Sequence, residues 1–211
     1  ANIATSADGA TSVFVADLDS DGDLDIISSS YLDDAIAWYE NDGAADPSFG
    51  AADIATSADG AYSVFVADLD SDGDLDILSA SESDNTIAWY ENDGAANPSF
   101  TAADITTGGA NAPYASDVRV ADMDNDGDLD IISANYYNDC VTWYENNGAA
   151  NPSFNISNVA CSADGVRSTF LADMDNDGDL DILSASQNDD AIAWYESDGA
   201  ADPSWSAADI V

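Results

Sequence analysis

The residues best able to do chemistry in this sequence are aspartates at alternate positions. Four segments carry them: DLDSDGDLD from Asp17 and from Asp68, and DMDNDGDLD from Asp122 and from Asp173. In the first, Asp17, Asp19 and Asp21 can converge their side-chain oxygens only if the chain turns tightly, and Gly22 in the sixth place permits that turn. Asp23 is placed to offer its backbone carbonyl, and Asp25 returns a carboxylate from the strand that follows. The equivalent sets are Asp68, Asp70, Asp72, Asp74 and Asp76; Asp122, Asp124, Asp126, Asp128 and Asp130; and Asp173, Asp175, Asp177, Asp179 and Asp181. Hard oxygen ligands in this number select Ca²⁺ over zinc or copper, and a flexible loop suits Ca²⁺ better than Mg²⁺. The spacing therefore predicts about one Ca²⁺ per segment, four in all. It matches the start of the EF-hand loop, but Ser28, Ser79, Ser133 and Ser184 stand where the twelfth-position glutamate belongs. A single acidic turn is often merely solvated; four returns of one spacing are not a random acidic run.

These loops hold twenty of the 43 acidic residues in a chain of 211 residues that has only Arg119 and Arg167 as cations, and a net charge of −41. Nucleic acid and anionic lipid are excluded as direct partners, because both are bound through Lys and Arg. With no His and no Lys, a His general base, a Schiff base and His-ligated zinc cannot be built. A hydrophobic fraction of 45% is too high for a disordered acidic chain. Four Ca²⁺ would return +8 to the net −41, leaving −33. That residue of charge suits a surface adapted to salt or to abundant divalent cations. No apolar run is long enough to span a bilayer, no signal-peptide pattern occurs, and the first residue is Ala1.

The elements that must position the loops are themselves repeated. AIAWYENDGAADPSF returns as TIAWYENDGAANPSF, CVTWYENNGAANPSF and AIAWYESDGAADPSW, with Trp38, Trp89, Trp143 and Trp194 spaced 51, 54 and 51 residues apart. The extra three residues fall near Gly108–Pro113, which reads as a lengthened connection. The chain is thus one repeat domain, 1–211, with approximate units 6–55, 57–106, 108–160 and 162–211. In the second unit, Ser63–Asp68, Ile77–Ser81, Thr86–Glu91 and Phe100–Thr106 read as strands separated by turn signals. No segment has a helical period. The expected fold class is all-β, a β-propeller of four repeats of about 51 residues with four antiparallel strands per blade. A β-solenoid competes, but its rungs are usually shorter.

With VFVADLDSDGDLDIIS from Val13 and its three counterparts in view, the unit resembles the FG-GAP or VCBS-type repeat, the calcium-binding propeller blade also found in integrin α-subunit heads. The resemblance covers essentially the whole chain, although SVF, DVR and STF stand where the FG dipeptide would be. It implies a propeller, usually seven-bladed, with Ca²⁺ in the loops between the first two strands of each blade. It also implies a secreted or cell-surface protein that adheres, binds partners, or accompanies a catalytic domain elsewhere in a longer chain. By position, the ligands it implies are Asp17, Asp19, Asp21 and Asp25 with the carbonyl of Asp23, and the corresponding residues of the other sets. Four units can close alone, pair with a second chain, or belong to a longer array. Ala1–Ala4 and the final residues from Ala208 both align with Ala52–Ala55, so both ends are expected in the same outer strand.

The remaining residues carry paired readings. WYE in every third strand either packs between blades or stacks on sugars, with Glu40, Glu91, Glu145 and Glu196 binding hydroxyls. Arg119, in a position held by Phe in the other units, borders the channel or a carboxylate, or else contacts an anion. Cys140 and Cys161 form an intrablade disulfide or are two unrelated substitutions. Asn155-Ile156-Ser157 is the one glycosylation tripeptide. No catalytic residues are expected, since fourfold repetition supplies no asymmetric pair of acids. The function expected is a calcium-bound scaffold for adhesion, assembly or partner binding, with self-association to complete a ring or array. A lectin-like glycan-binding module and an accessory domain of a larger extracellular enzyme are the alternatives.

Overall fold

A computed structural model describes residues 2–106 and 112–209. The described residues form sixteen strands in four antiparallel sheets of four, each sheet built from consecutive strands. The first comprises β1 (Ala10–Ala16), β2 (Asp25–Ser30), β3 (Ala35–Asn41) and β4 (Phe49–Ala55). The second comprises β5 (Ala61–Ala67), β6 (Asp76–Ser81), β7 (Thr86–Asn92) and β8 (Phe100–Thr106). The third holds β9 (Ala115–Ala121), β10 (Asp130–Asn135), β11 (Cys140–Asn146) and β12 (Phe154–Ala160). The fourth holds β13 (Val166–Ala172), β14 (Asp181–Ser186), β15 (Ala191–Ser197) and β16 (Trp205–Asp209). β1 packs on β5, β5 on β9 and β9 on β13, so the first strand of each sheet is innermost and the sheets succeed one another as propeller blades.

The third strand explains why consecutive blades stack. Neighbouring residues in a strand point to opposite faces, so Trp and Tyr of WYE face opposite sides of a blade and, in the second and third blades, serve two different interfaces. Trp38 of the first blade and Tyr90 of the second share one buried cluster. Trp89 and Tyr144 share the next, and Trp143 and Tyr195 the third. Within each sheet the indole lies opposite a small residue of the fourth strand: Ala52, Ala103, Ser157 or Ala208. That pairing leaves room for a large ring in a twisted sheet. At these three interfaces WYE is therefore blade packing. The outer strands β4 and β8 carry Asp53 and Asp104 among small residues, and charge on an edge strand discourages edge-to-edge pairing.

The propeller expectation and the antiparallel meander of each unit agree with this architecture. One expectation is corrected. Residues 2–9 form no strand, although Ala1–Ala4 aligns with the end of β4. An outer strand exists only by its ladder with the third strand of its own sheet, and residues 2–4 have no such partner among the described residues. The lengthened connection near Gly108–Pro113 lies partly outside the described residues. Cys140 and Cys161 are bonded to each other, across a sequence separation of 21 residues. The bridge ties the start of β11 to the end of β12, beside the pair Val141 and Ala160. Among the described residues, no helix is long and apolar enough to cross a membrane.

Candidate metal centres

Each acidic segment joins the first two strands of a blade at the same end of the molecule. Local hydrogen bonding shows how the sequence makes the loop. The Asp17 carboxylate accepts from the backbone N–H groups of Asp21 and Gly22 at 3.0 and 2.9 Å, and Asp21 Oδ1 accepts from the N–H of Asp23 at 2.9 Å. Short side chains that bond to backbone a few residues on favour turns over strands. Ser20 and Gly22 both take positive φ, 61° and 97°, and the second value belongs to a region open mainly to glycine. The other three loops repeat these bonds, with Asp68, Asp122 and Asp173 as the accepting carboxylates.

The result is convergence. One carboxylate oxygen from each of Asp17, Asp19 and Asp21 lies within 4.8 Å of the other two, and the same holds for Asp68, Asp70 and Asp72, for Asp122, Asp124 and Asp126, and for Asp173, Asp175 and Asp177. Two oxygens bound to one Ca²⁺ at about 2.4 Å are at most about 5 Å apart, so each triplet fits a shared ion. Like charges this close also raise proton affinity. The carboxyls of Asp19, Asp70, Asp124 and Asp175 are pushed up, first by loss of water around them and next by their aspartate neighbours.

The other two aspartates of each set sit differently. Asp23, Asp74, Asp128 and Asp179 press their carboxylates against Gly43, Gly94, Gly148 and Gly199, where any side chain would collide with them. Asp25 is buried at the base of the loop, where its oxygens accept from the N–H groups of Leu18 at 3.2 Å and Asn41 at 2.8 Å. Asp76, Asp130 and Asp181 make the same two bonds. This residue therefore ties the metal loop to the turn between the third and fourth strands. Burial pushes the carboxyl of Asp76 up to about 6 and that of Asp130 up to about 7, despite those N–H donors.

A residue that sequence reasoning passed over closes the loop from the other side. The side-chain amide of Asn146, last in β11, donates to the carbonyl of Leu129 in its own blade and to that of Leu69 in the preceding one, at 3.0 and 3.1 Å. Asn92 does the same for Leu75 and Leu18. The fourth blade has Ser197 there instead. Asn146→Ala should lower stability by about 2 kcal/mol, since it leaves two carbonyls without a donor. It should also weaken metal binding in the second and third loops together; an effect confined to one loop would show that the cross-blade bond carries nothing. The signal was available as a recurring Asn two residues before Gly, but its partner lies 77 residues away.

A second, non-repeating cluster lies at the opposite ends of the strands. Arg167 reaches from the fourth blade to the buried Glu82 of the second, 2.6 Å away, and its guanidinium stands 3.9 Å from the ring centre of Tyr136. Tyr31, Tyr62, Tyr114 and Tyr137 complete this face, with ring centres 4.5 to 6.4 Å apart in the pairs Tyr31–Tyr62, Tyr114–Tyr136, Tyr114–Tyr137 and Tyr136–Tyr137. Arg119 meets the carboxylate anticipated for it. Its guanidinium is 3.2 Å from buried Asp117, which also accepts from the N–H of Thr169 at 2.7 Å and the hydroxyl of Ser63 at 3.1 Å. Asp117 thereby joins three blades near the axis.

The repeating loop decides the family. The model of the FG-GAP-like repeat matches residues 17–79, 68–133 and 122–184, each match running from one acidic loop through the next. The chain belongs to the FG-GAP-like repeat family. Among solved structures, this FG-GAP chain is similar to an Agrocybe aegerita lectin described for its specific recognition of non-reducing terminal N-acetylglucosamine. That likeness has 22% identity and a TM-score of 0.61, covering 93% of this chain and 51% of the lectin. It is similar to a putative 6-phosphogluconolactonase from Bacteroides uniformis, at 15% identity and a TM-score of 0.67, over 96% of this chain and 55% of that one. It is also similar to the V. cholerae biofilm matrix protein Bap1, at 22% identity and a TM-score of 0.55, over 92% of this chain and 27% of that one. The FG-GAP chain spans about half the length of the first two and about a quarter of the third. These likenesses concern the fold. No curated protein matches the chain.

Proposed function

We propose that this FG-GAP chain is a non-catalytic, calcium-bound propeller scaffold of a secreted or cell-surface protein, acting in adhesion, assembly or partner binding. The observation that carries the reading is the convergence of three carboxylates in each of four loops, a donor set of hard oxygens sized for one Ca²⁺. The ligands proposed are Asp17, Asp19, Asp21 and Asp25 with the carbonyl of Asp23, and their equivalents in the other three blades. The ion supplies charge neutralisation and rigidity, while the chain's own residues hold the loop against the blade through Asp25, Asp76, Asp130 and Asp181. The FG-GAP repeat and a biofilm matrix protein among the structural neighbours support an extracellular setting. Calorimetric titration of metal-free protein with Ca²⁺ should give about four sites per chain. Heat that is only that of ionic screening, and is matched by Na⁺ at equal ionic strength, would sink the reading.

A second reading has its own observation. The tyrosine face around Arg167 does not repeat, includes the exposed Tyr137, and offers flat rings of the kind on which sugars stack. A glycan-binding module would use that face, not WYE. A glycan array with the intact chain and with Tyr137→Ala tests it. Binding that the substitution removes supports the lectin, and no glycan retained with or without Ca²⁺ refutes it.

A further inference from the structure

The acidic loops of successive blades are joined across their seams by side-chain amides. Asn92 links the first loop to the second, through the carbonyls of Leu18 and Leu75. Asn146 links the second to the third, through those of Leu69 and Leu129. In the fourth blade the third strand ends in Ser197, whose hydroxyl accepts from the N–H of Gly199 at 3.2 Å. A hydroxyl carries one proton and cannot donate to two carbonyls as an amide does. The seam between the third and fourth loops therefore lacks the link found at the other two.

That seam carries a different one. Asn125, in the third loop, donates from its side-chain amide to the Asp179 carboxylate of the fourth, at 3.0 Å. The first two loops have Ser20 and Ser71 in this place, with a side chain one bond shorter and no N–H to offer. Ser20, Ser71 and Asn125 share one positive φ, 61°, 60° and 60°, so the loop keeps its shape and only the reach of the side chain differs. Asn125 lies between Asp124 and Asp126, two of the three carboxylates that converge in the third loop. Asp179 is packed against Gly199, and its N–H donates at 3.0 Å to Oδ1 of Asp177, one of the three that converge in the fourth. A line of direct bonds thus runs from one converging set to the other.

We propose that Asn125 is a positioning residue for the loop of the following blade, and that the third and fourth loops fill as a pair. The proposal rests on the calcium-bound reading above, and it uses only a seam between two blades of this chain. Ordering of the third loop around its ion fixes the donor, and ordering of the fourth fixes the acceptor. Whichever loop is filled first leaves less disorder for the other to lose, and the coupling is reciprocal. Coulomb forces between loops act the opposite way, since filling one weakens the field that draws a cation to its neighbour. Salt at physiological strength screens that field beyond about 8 Å and leaves the direct bond in place.

The amide signals of Gly22, Gly73, Gly127 and Gly178 report the four loops separately, because each N–H bonds the first aspartate of its own loop at 2.9 to 3.1 Å. Nuclear magnetic resonance of the full chain follows them as a chelator buffer raises free Ca²⁺ at physiological salt. Asp124→Ala, which disables the third loop, should raise the Ca²⁺ needed to half-fill the fourth about fivefold. In an Asn125→Ser background the same substitution should move Gly178 by less than about twofold, and Gly22 should stay unmoved in both. Asn125→Ser alone gives the third loop the residue that the first two already hold, so it should keep the parent fold. It should raise half-saturation at Gly127 and Gly178 together, by about twofold. A shift at Gly178 as large in the Asn125→Ser background as in the parent, or none in either, would overturn the pairing while leaving calcium binding intact. Silence of all four glycines to Ca²⁺ would overturn the calcium reading and the pairing with it.

Discussion

Stripping divalent ions from this chain should lower its melting temperature by about 20 °C or more. A ligand at one hundred times its dissociation constant stabilises a fold by about 2.7 kcal/mol per site, so four filled loops contribute on the order of 11 kcal/mol. Net stabilities of domains lie at about 5–15 kcal/mol. On the calcium-bound reading proposed above, the ions would supply a contribution as large as the whole margin of stability, and at this chain length each kcal/mol moves the transition by about 2–4 °C. The cause is visible in the loops, where three carboxylates converge within 4.8 Å and no Lys or His exists to offset them. Melting in excess chelator, followed by return of Ca²⁺, measures the effect; a transition unmoved by the chelator would remove the structural role of the ions. Asp124→Ala should reproduce about a quarter of the loss, because it disables one loop in four.

How far the sequence disclosed this molecule depends on the range of the interaction concerned. The strands of the second unit were legible because alternation and turn residues act over a few positions, and Phe100–Thr106 is read to its last residue. The triplet Asp17, Asp19 and Asp21 was legible for the same reason, since its convergence follows from a loop of nine residues. The double role of WYE as blade packing follows from the strand period once the blades are known to stack. What escaped lies across blades. Asn146 bonds a carbonyl in the preceding blade, Asp117 gathers donors from the second and fourth blades, and Arg167 reaches past the third to Glu82. None of these partners is marked by local spacing. Residues 2–4 failed in the opposite sense: their local pattern says strand, but a strand needs a neighbour, and the pattern carries no information on whether one is present. Exposure is likewise not written in local spacing: Val13 is 68% exposed and Val64 is 1% exposed. Val13 and Val64 are the same residue in the same motif, and only the structure distinguishes them.

Acidifying the metal-free chain from pH 8 to pH 5 should raise its melting temperature, against the usual course of acid denaturation. Burial holds Asp76 at about 6 and Asp130 at about 7 in the fold, whereas both titrate near 3.8 in the unfolded chain. A raised folded value means that the folded state binds the proton more tightly. The associated stability is complete below about pH 4 and is lost as the pH rises through 6 and 7. At about 1.4 kcal/mol per pH unit of displacement, the two groups together account for several kcal/mol. Fewer charges on so acidic a chain also lessen its self-repulsion, which acts in the same direction. With saturating Ca²⁺ the slope should reverse, because protons then compete with the ion for the loop carboxylates. Melting temperatures of dialysed protein across this range, with and without Ca²⁺, should therefore converge as the pH falls. A metal-free curve that declines steadily from pH 8 to pH 5 would refute the argument. The crossing would also explain why a buried carboxylate recurs at the base of every loop. Its oxygens hold N–H groups from two turns at once, and an ion bound in the loop, as proposed, would make its ionised form tolerable. The residue thus links the acidic loop to the blade, and at Asp76 and Asp130 its cost to the fold would appear only without the ion.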